Sequence, residues 1–499
     1  MNTQIRRLGL ALLIAYVAVF VQLNYIQVFR AESLNAHPEN NREILRDFTR
    51  PRGTITSADG VVLARSVEVN DRFERQREFP TADLFAHITG FFSLEFGADG
   101  LEREYNDDLA GQTAEQELRS FADLFVEKER TGNLTLTMRA DLQELARQQL
   151  GDRRGSVVAV DPRTGAVLAS WSFPSYDPNQ LSSHDFTAAQ GARNFLLGLD
   201  DPNNAFDRSP LSPAAYRERF FPGSTFKVVT GATGVQAGVV TPEGPVYDEV
   251  TEYLPPQTTL PLSNFGGSVC GGSLFTILAR SCNSSFAQMA VEDIGPDRMI
   301  DGAESWGFND TPPLDLPAVA ESNFPTDFTD NLPALAQSAI GQNDVAATPL
   351  QMALVAAGVA NDGVVMAPYV VEEIRDGEGD VLESTDPSVW HQAVDGSTAQ
   401  IMREAMIGVV SGANGTAGSL ALGGFEVGGK TGTAQLGTDP PRSHAWIIGF
   451  AGPLGGESEV AVAVIVEGEE GASEQTGGSV AGPIARAMME AALRPAANG

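Results

Sequence analysis

The hydrophobic pattern begins with Arg6 and Arg7, followed by an uncharged stretch over residues 8–29 whose first part, 8–20, is dense in Leu, Ala, Val and Ile. No polar stripe recurs there at helical spacing, so the stretch does not read as an amphipathic surface helix. Residues 8–29 as a helix reach about 33 Å at 1.5 Å rise, enough for a bilayer core. Gln22, Asn24 and Gln27 mark where such a helix would emerge. No small-x-small cleavage pattern follows, so the reading is a retained anchor. Arg30, Arg42 and Arg46 rival Arg6 and Arg7, so charge alone does not orient it.

Residues 31–130 are polar and mixed, with strand-like pieces at 53–55 and 61–64 around an Asp59-Gly60 hairpin turn. No catalytic constellation appears there, which suits a stalk or interaction domain. From Asn133 the texture changes. Residues 134–137 alternate like a strand, and 141–150 read as a helix with Asp141 as N-cap. Two strands over 155–162 and 165–169 share a turn at Pro162 to Gly165. Helical patterns follow near 225–237, 273–280, 284–293, 333–340, 348–361 and 397–411. Strands return at 427–434, 444–451 and 459–466, before a last helix over 480–493. Strands at both ends with helices between predict an α+β domain whose sheet is closed by sequence-distant strands.

Composition narrows the function. The chain has 499 residues, enough for two or three domains, and its 42% hydrophobic and 20% charged residues suit an ordered fold. A net charge of −32 argues against nucleic acid as partner, because phosphate backbones need a basic face. The five histidines, at 37, 87, 184, 391 and 444, show no metal-ligand spacing, and no phosphate-binding loop motif occurs. No metal and no cofactor are therefore expected. Lysine occurs only at 128, 227 and 430. Arginine cannot deprotonate in a protein whereas lysine can, so these three attract attention. Cys270 and Cys282 lie close enough in an exported chain to form a disulfide, the alternative being two buried thiols.

Three motifs carry the chemistry. In Ser224-Thr225-Phe226-Lys227, after Phe221-Pro222-Gly223, the i, i+3 spacing puts Ser224 and Lys227 on one helical face, where hydroxyl and amine can hydrogen-bond. A serine hydroxyl needs a base, and a lysine at a helix start and partly buried has a lowered pKa. In Ser281-Cys282-Asn283, Ser281 suits proton relay and the Asn283 amide suits a peptide backbone. In Lys430-Thr431-Gly432-Thr433, strand alternation sends Lys430 and Gly432 to one face and Thr431 and Thr433 to the other. Hydroxyls and ammonium suit a carboxylate, Gly432 permits close backbone approach, and the Thr433 and Ser224 N–H groups suit an oxyanion hole. Each motif alone is weak; the ordered set S-x-x-K, S-x-N, K-T-G is specific.

In these motifs the chain resembles the class B penicillin-binding proteins, nearest to the actinobacterial penicillin-binding protein A type. Arg52-Gly53-Thr54-Ile55 with Asp59-Gly60, Gly100-Leu101-Glu102 with Gly111, Tyr176-Asp177-Pro178-Asn179 and Gly341-Gln342 with Thr348-Pro349-Leu350-Gln351 are similar to further family stretches. Cys282 stands where the β-lactamase version of the second motif has Asp. The resemblance implies a five-stranded sheet with flanking helices and an all-helical lobe, preceded by a small mixed domain and one transmembrane helix. The implied division is a short cytoplasmic N-terminus at 1–7, an anchor at 8–29, a pedestal or interaction domain at 30–132 and a transpeptidase domain at 133–499. The catalytic part would lie on the extracytoplasmic side of the cytoplasmic membrane.

The implied activity is D,D-transpeptidation of peptidoglycan. Ser224, Lys227, Ser281 and Lys430 would be catalytic, with Asn283, Thr431, Gly432 and Thr433 binding substrate. The implied partners are the stem pentapeptide ending in D-Ala-D-Ala, β-lactams acylating the same serine, and a membrane glycan polymerase of the shape, elongation and division type. The same motifs also serve a D,D-carboxypeptidase or a β-lactamase. A scaffold for a polymerase, catalytically idle, is the reading from a different class; retained Ser224, Lys227 and Lys430 argue against it.

Overall fold

The computed structural model describes residues 2–25, 48–113, 131–200, 208–470 and 476–494. Lys128 and residues 26–29 of the expected anchor lie outside the described residues.

The chain divides into two units. The first comprises the segments 1–51 and 67–76. It contains the helix Asn2–Tyr25, which from Thr3 to Tyr25 is exposed and apolar enough to cross a membrane. The helix begins before residue 8, where the expected anchor starts. At the hairpin tip Val69 N donates to Glu74 O at 2.9 Å, and the Phe48 and Phe73 rings meet edge-on.

The second unit holds the catalytic sheet. Its strands are β1 (Gly155–Val160), β2 (Val167–Phe173), β3 (Phe425–Gln435), β4 (Ser443–Pro453) and β5 (Val460–Val466). They lie in the order β3-β4-β5-β1-β2, all antiparallel, so the last strand joins the first as the pattern predicted. β5 reads Val-Ala-Val-Ala-Val-Ile-Val and is buried at every position, because helices cover both faces. The helix Pro349–Ala360 packs on β5, β4 and β1. Thr348 caps it through its side chain, Pro349 sits at its first turn, and it is apolar all round, as a helix buried in a core must be. Ala140–Leu150 and Gly482–Ala492 pack on the same sheet.

The helical lobe is built from Lys227–Gln236, Leu274–Arg280, Asn283–Gln288, Pro296–Ser305 and Leu332–Ser338. The strands and helices thus realise the α+β architecture that the resemblance implied. One local expectation fails. Asp141 does not cap its helix; that helix begins at Ala140, and the Asp59 carboxylate accepts from Ala140 N at 2.9 Å and Asp141 N at 3.2 Å. The cap comes from 81 residues upstream, which local pattern cannot reveal.

A six-stranded sheet supports the catalytic part, in the order Val381–Ser384, Val371–Arg375, Asn133–Leu136, Ile55–Thr56, Val62–Glu68, Arg75–Glu78. Asn133–Leu136 runs parallel to Ile55–Thr56 and antiparallel to Val371–Arg375. The sequence boundary at 132/133 therefore falls within this sheet. Beside it Glu102 is fully buried between two arginines, with Arg52 Nε at 2.7 Å and Arg77 Nε at 2.6 Å. Burial pushes the Glu102 carboxyl up, but the two guanidiniums outweigh it and hold it below its ordinary value. Arg52 also donates to Glu102 O and Asn106 Oδ1 and lies over the Phe92 ring.

Candidate active site

Ser224 sits in a tight turn, Gly223–Phe226, that leads into the helix Lys227–Gln236. Gly223 has φ +54, and its N–H donates to Gly341 O at 2.9 Å. Gly341 has φ +74, and a Cβ there would lie 2.2 Å from Gly223 O. Two backbones this close tolerate only glycine. Thr225 Oγ1 donates to Pro222 O at 2.7 Å and closes the turn.

The third motif lies in β3, directly against this turn. A Cβ on Gly432 would come within 2.9 Å of Pro222 O, Thr225 Cγ2 and Trp446 Cβ. The close approach expected of Gly432 is thus to the chain's own first motif. Alternation holds along the strand: Thr431, Thr433 and Gln435 line one cleft of about 830 Å³ together with Ser224, Ser281 and Asn283. Thr431 Oγ1 donates to Thr416 Oγ1 at 2.9 Å, and Thr476 lines the same cleft. Thr416 and Thr476 escaped the sequence analysis, since single threonines in loops carry no spacing signal.

Both lysines of the site are fully buried. Lys227 Nζ donates to Ser281 O at 2.8 Å, Asn283 Oδ1 at 2.6 Å and Ser281 Oγ at 3.2 Å. Lys430 Nζ donates to Ser281 Oγ at 2.9 Å and to Thr431 O at 2.9 Å. The expected Ser224–Lys227 hydrogen bond is not among these. The second motif supplies the Lys227 acceptors, because Ser224 stands in the turn before the helix proper. Such contacts commonly tighten only when substrate is present.

Burial, and then the charge of Lys430, push the Lys227 amine well below its ordinary value. Burial alone lowers Lys430 to about 7. Ser281 itself adopts φ 60, ψ 43, a left-handed conformation uncommon outside glycine. It ends the helix Leu274–Arg280 and turns its Oγ between the two amines. Cys282, next in the chain, is disulfide-bonded to Cys270, with Cα atoms 5.5 Å apart. Ser224, Ser281, Asn283, Thr431 and Thr433 therefore line one cleft, with Lys227 and Lys430 buried against Ser281 and Gly432 packed on the first-motif turn. Among the described residues no cluster of His, Cys, Asp and Glu suits a metal ion.

This arrangement provides a serine hydroxyl at the cleft, a second hydroxyl shared by two buried amines, and threonine hydroxyls along one wall. That is equipment for acyl transfer without a metal ligand set. The chain is similar to known proteins. A family model for the penicillin binding protein transpeptidase domain matches residues 155–490, and one for the penicillin binding protein A dimerisation domain matches 52–134. The chain is 40% identical, over 99% of its length and 99% of the relative, to the peptidoglycan D,D-transpeptidase PbpA of Mycolicibacterium smegmatis. It is 37% identical to PbpA of Mycobacterium tuberculosis over 99% of both chains. Among solved structures it resembles penicillin-binding protein A of M. tuberculosis as a penicillin G acyl-enzyme, with TM-score 0.79 and 36% identity over 89% of this chain and 100% of that one. It also resembles a D,D-transpeptidase domain from Eggerthella lenta, with TM-score 0.74 and 32% identity over 89% and 99% of the two chains.

Proposed function

The chain belongs to the class B penicillin-binding protein transpeptidases, and from that premise we propose that it cross-links peptidoglycan as a D,D-transpeptidase through an acyl-enzyme on Ser224. The observation that carries the residue assignment is the convergence of Lys227 and Lys430 on Ser281 Oγ, in the cleft that Ser224 also lines.

In the acylation step Ser224 Oγ bonds to the penultimate D-alanine carbonyl carbon while its proton passes to neutral Lys227. Ser281 relays a proton to the departing amine as the C–N bond breaks and D-alanine leaves. Lys430, Thr431 and Thr433 present charge and hydroxyls to the substrate carboxylate, and Asn283 meets its backbone. The N–H groups of Ser224 and Thr433 face the developing oxyanion. An amine from a neighbouring stem then attacks the ester, and Ser224 recovers its proton. A β-lactam follows the first half of this path, its ring nitrogen taking the proton.

The apolar helix Asn2–Tyr25 supports a single-pass anchor in the cytoplasmic membrane, with the catalytic part outside, where its substrate lies. Cross-linking needs nascent glycan close by, which supports a membrane glycan polymerase of the shape, elongation and division type as partner. Residues 30–132, most of which the 52–134 match overlaps, would serve as the pedestal towards it.

The test is intact mass of the full-length protein in detergent after incubation with benzylpenicillin, beside Ser224→Ala. A lasting adduct of one drug molecule, absent from the variant, is expected. Rapid loss of the adduct as hydrolysed drug accumulates would make the protein a β-lactamase. A folded protein with no adduct would make it a scaffold.

A further inference from the structure

Between the first two motifs the chain forms a small flap. Tyr247–Val250 pairs with Cys270–Gly272, and Glu252–Tyr253 pairs with Leu262–Ser263. Leu260 and Phe265, 77% and 52% exposed, line the cleft from this flap together with Leu262. The inner side of the flap is fastened to three consecutive residues of the second motif and its helix. Cys270 is bonded to Cys282. Ser263 O accepts from Asn283 Nδ2 at 3.0 Å. Asn264 holds Ser284.

Asn264 is 4% exposed and its amide is fully used. Its Oδ1 accepts from Ser284 N at 2.9 Å and Ser284 Oγ at 3.1 Å. Its Nδ2 donates to Val250 O at 2.9 Å, Ser284 Oγ at 3.0 Å and Ser268 O at 3.1 Å. One residue thus ties the strand Tyr247–Val250 and the loop at Ser268 to the second-motif helix. Its neighbour Ser263 decides how the Asn283 amide points. A carbonyl can only accept, so Ser263 O must face Nδ2, which leaves Oδ1 to take the Lys227 Nζ bond at 2.6 Å.

Resting on the Ser224 acyl-enzyme reading, we propose that Asn264 is a positioning residue for acylation: by pinning the flap to Ser284 it places the Ser263 carbonyl, which turns Asn283 Oδ1 to Lys227. When Lys227 accepts the Ser224 proton it becomes an ammonium, and an acceptor already aimed at it stabilises that form. The segment that lines the cleft is therefore the one that orients the base's acceptor. Lys430 is the charged group acting on Lys227.

The test measures the second-order rate constant for acylation by benzylpenicillin across pH, with full-length wild type, Asn264→Ala and Ser224→Ala in detergent. Asn264→Ala is expected to acylate about 10- to 100-fold more slowly. Its acid limb moves to lower pH, because an ammonium that loses a fixed acceptor releases its proton more readily. An unchanged rate and limb overturn the inference. So does a slower rate with an unmoved limb that only tracks the fraction of folded protein. If Asn264→Ala does not fold, Cys270→Ser releases the flap's other tie; a limb displaced to lower pH supports the inference and an unmoved one overturns it. A wild type that fails to acylate, like Ser224→Ala, overturns the Ser224 reading and this inference with it. A wild type that acylates beside an unaltered Asn264→Ala overturns this inference alone.

Discussion

Lys227 and Lys430 share one hydroxyl: Ser281 Oγ lies 3.2 Å from the first Nζ and 2.9 Å from the second. Two ammonium groups so placed repel each other, and the charge of Lys430 adds to burial in holding Lys227 down. Lys430→Gln removes that charge, so the Lys227 pKa rises. Acylation needs neutral Lys227, and its acid limb is therefore expected to move to higher pH, with a lower maximum rate. A limb that stays in place would show that the two amines do not communicate.

Lys227→Arg keeps a cation but loses a base. Acylation should fall by about 10²–10⁴-fold, since a guanidinium cannot accept the Ser224 proton. Stopped-flow acylation on protein with a retained folded circular-dichroism spectrum checks this; a loss under tenfold would assign the base elsewhere.

Gly341→Ala puts a methyl group 2.2 Å from Gly223 O at a residue whose φ is +74. The turn carrying Ser224 must move to admit it. Acylation is expected to slow by about tenfold or more while the fold persists. Equal rates for wild type and variant would show that the turn gives way without displacing Ser224.

Glu102→Gln leaves Arg52 and Arg77 buried without their anion. Breaking a buried pair in this way typically costs about 3–5 kcal/mol. Urea unfolding should register that loss, with the acylation rate of the folded fraction unchanged. A loss below about 1 kcal/mol would mean that solvent reaches the site.

His87 is buried, and burial lowers its pKa from 6.5 to about 4; Nε2 donates to Pro210 O at 2.8 Å. Between those two values the unfolded chain binds the proton and the folded one does not. Stability is therefore complete above about pH 6.5 and falls as the pH drops towards 4, by on the order of 3 kcal/mol from this group. His87→Gln should flatten the decline of Tm over that range. A slope unchanged in the variant would assign acid sensitivity to other groups, among them His444, which burial holds at about 3.

The three motifs and the long strands were legible because each is local. The all-apolar β5 and the Thr348-Pro349 helix start announce themselves within a few residues. What stayed hidden depends on distant partners. Nothing near Ser281 says that it adopts φ 60, and nothing near Ala140 says that Asp59 caps its helix. The flap was passed over because its strands are two to four residues long, too short for alternation to register. Arg77, lacking any motif around it, gave no hint that it completes the pocket of Glu102.

The six-stranded sheet recruits Val371–Arg375 and Val381–Ser384 from deep within the catalytic sequence to stand beside Ile55–Thr56 and Asn133–Leu136. Inheritance cannot treat the two parts as separate cassettes. A chimera that borrows residues 52–136 from a distant relative would also need that relative's 371–384, or it would be left with mismatched edges. Recombination at 132/133 alone would part Ile55–Thr56 from Asn133–Leu136, strands that hydrogen-bond to one another in this sheet.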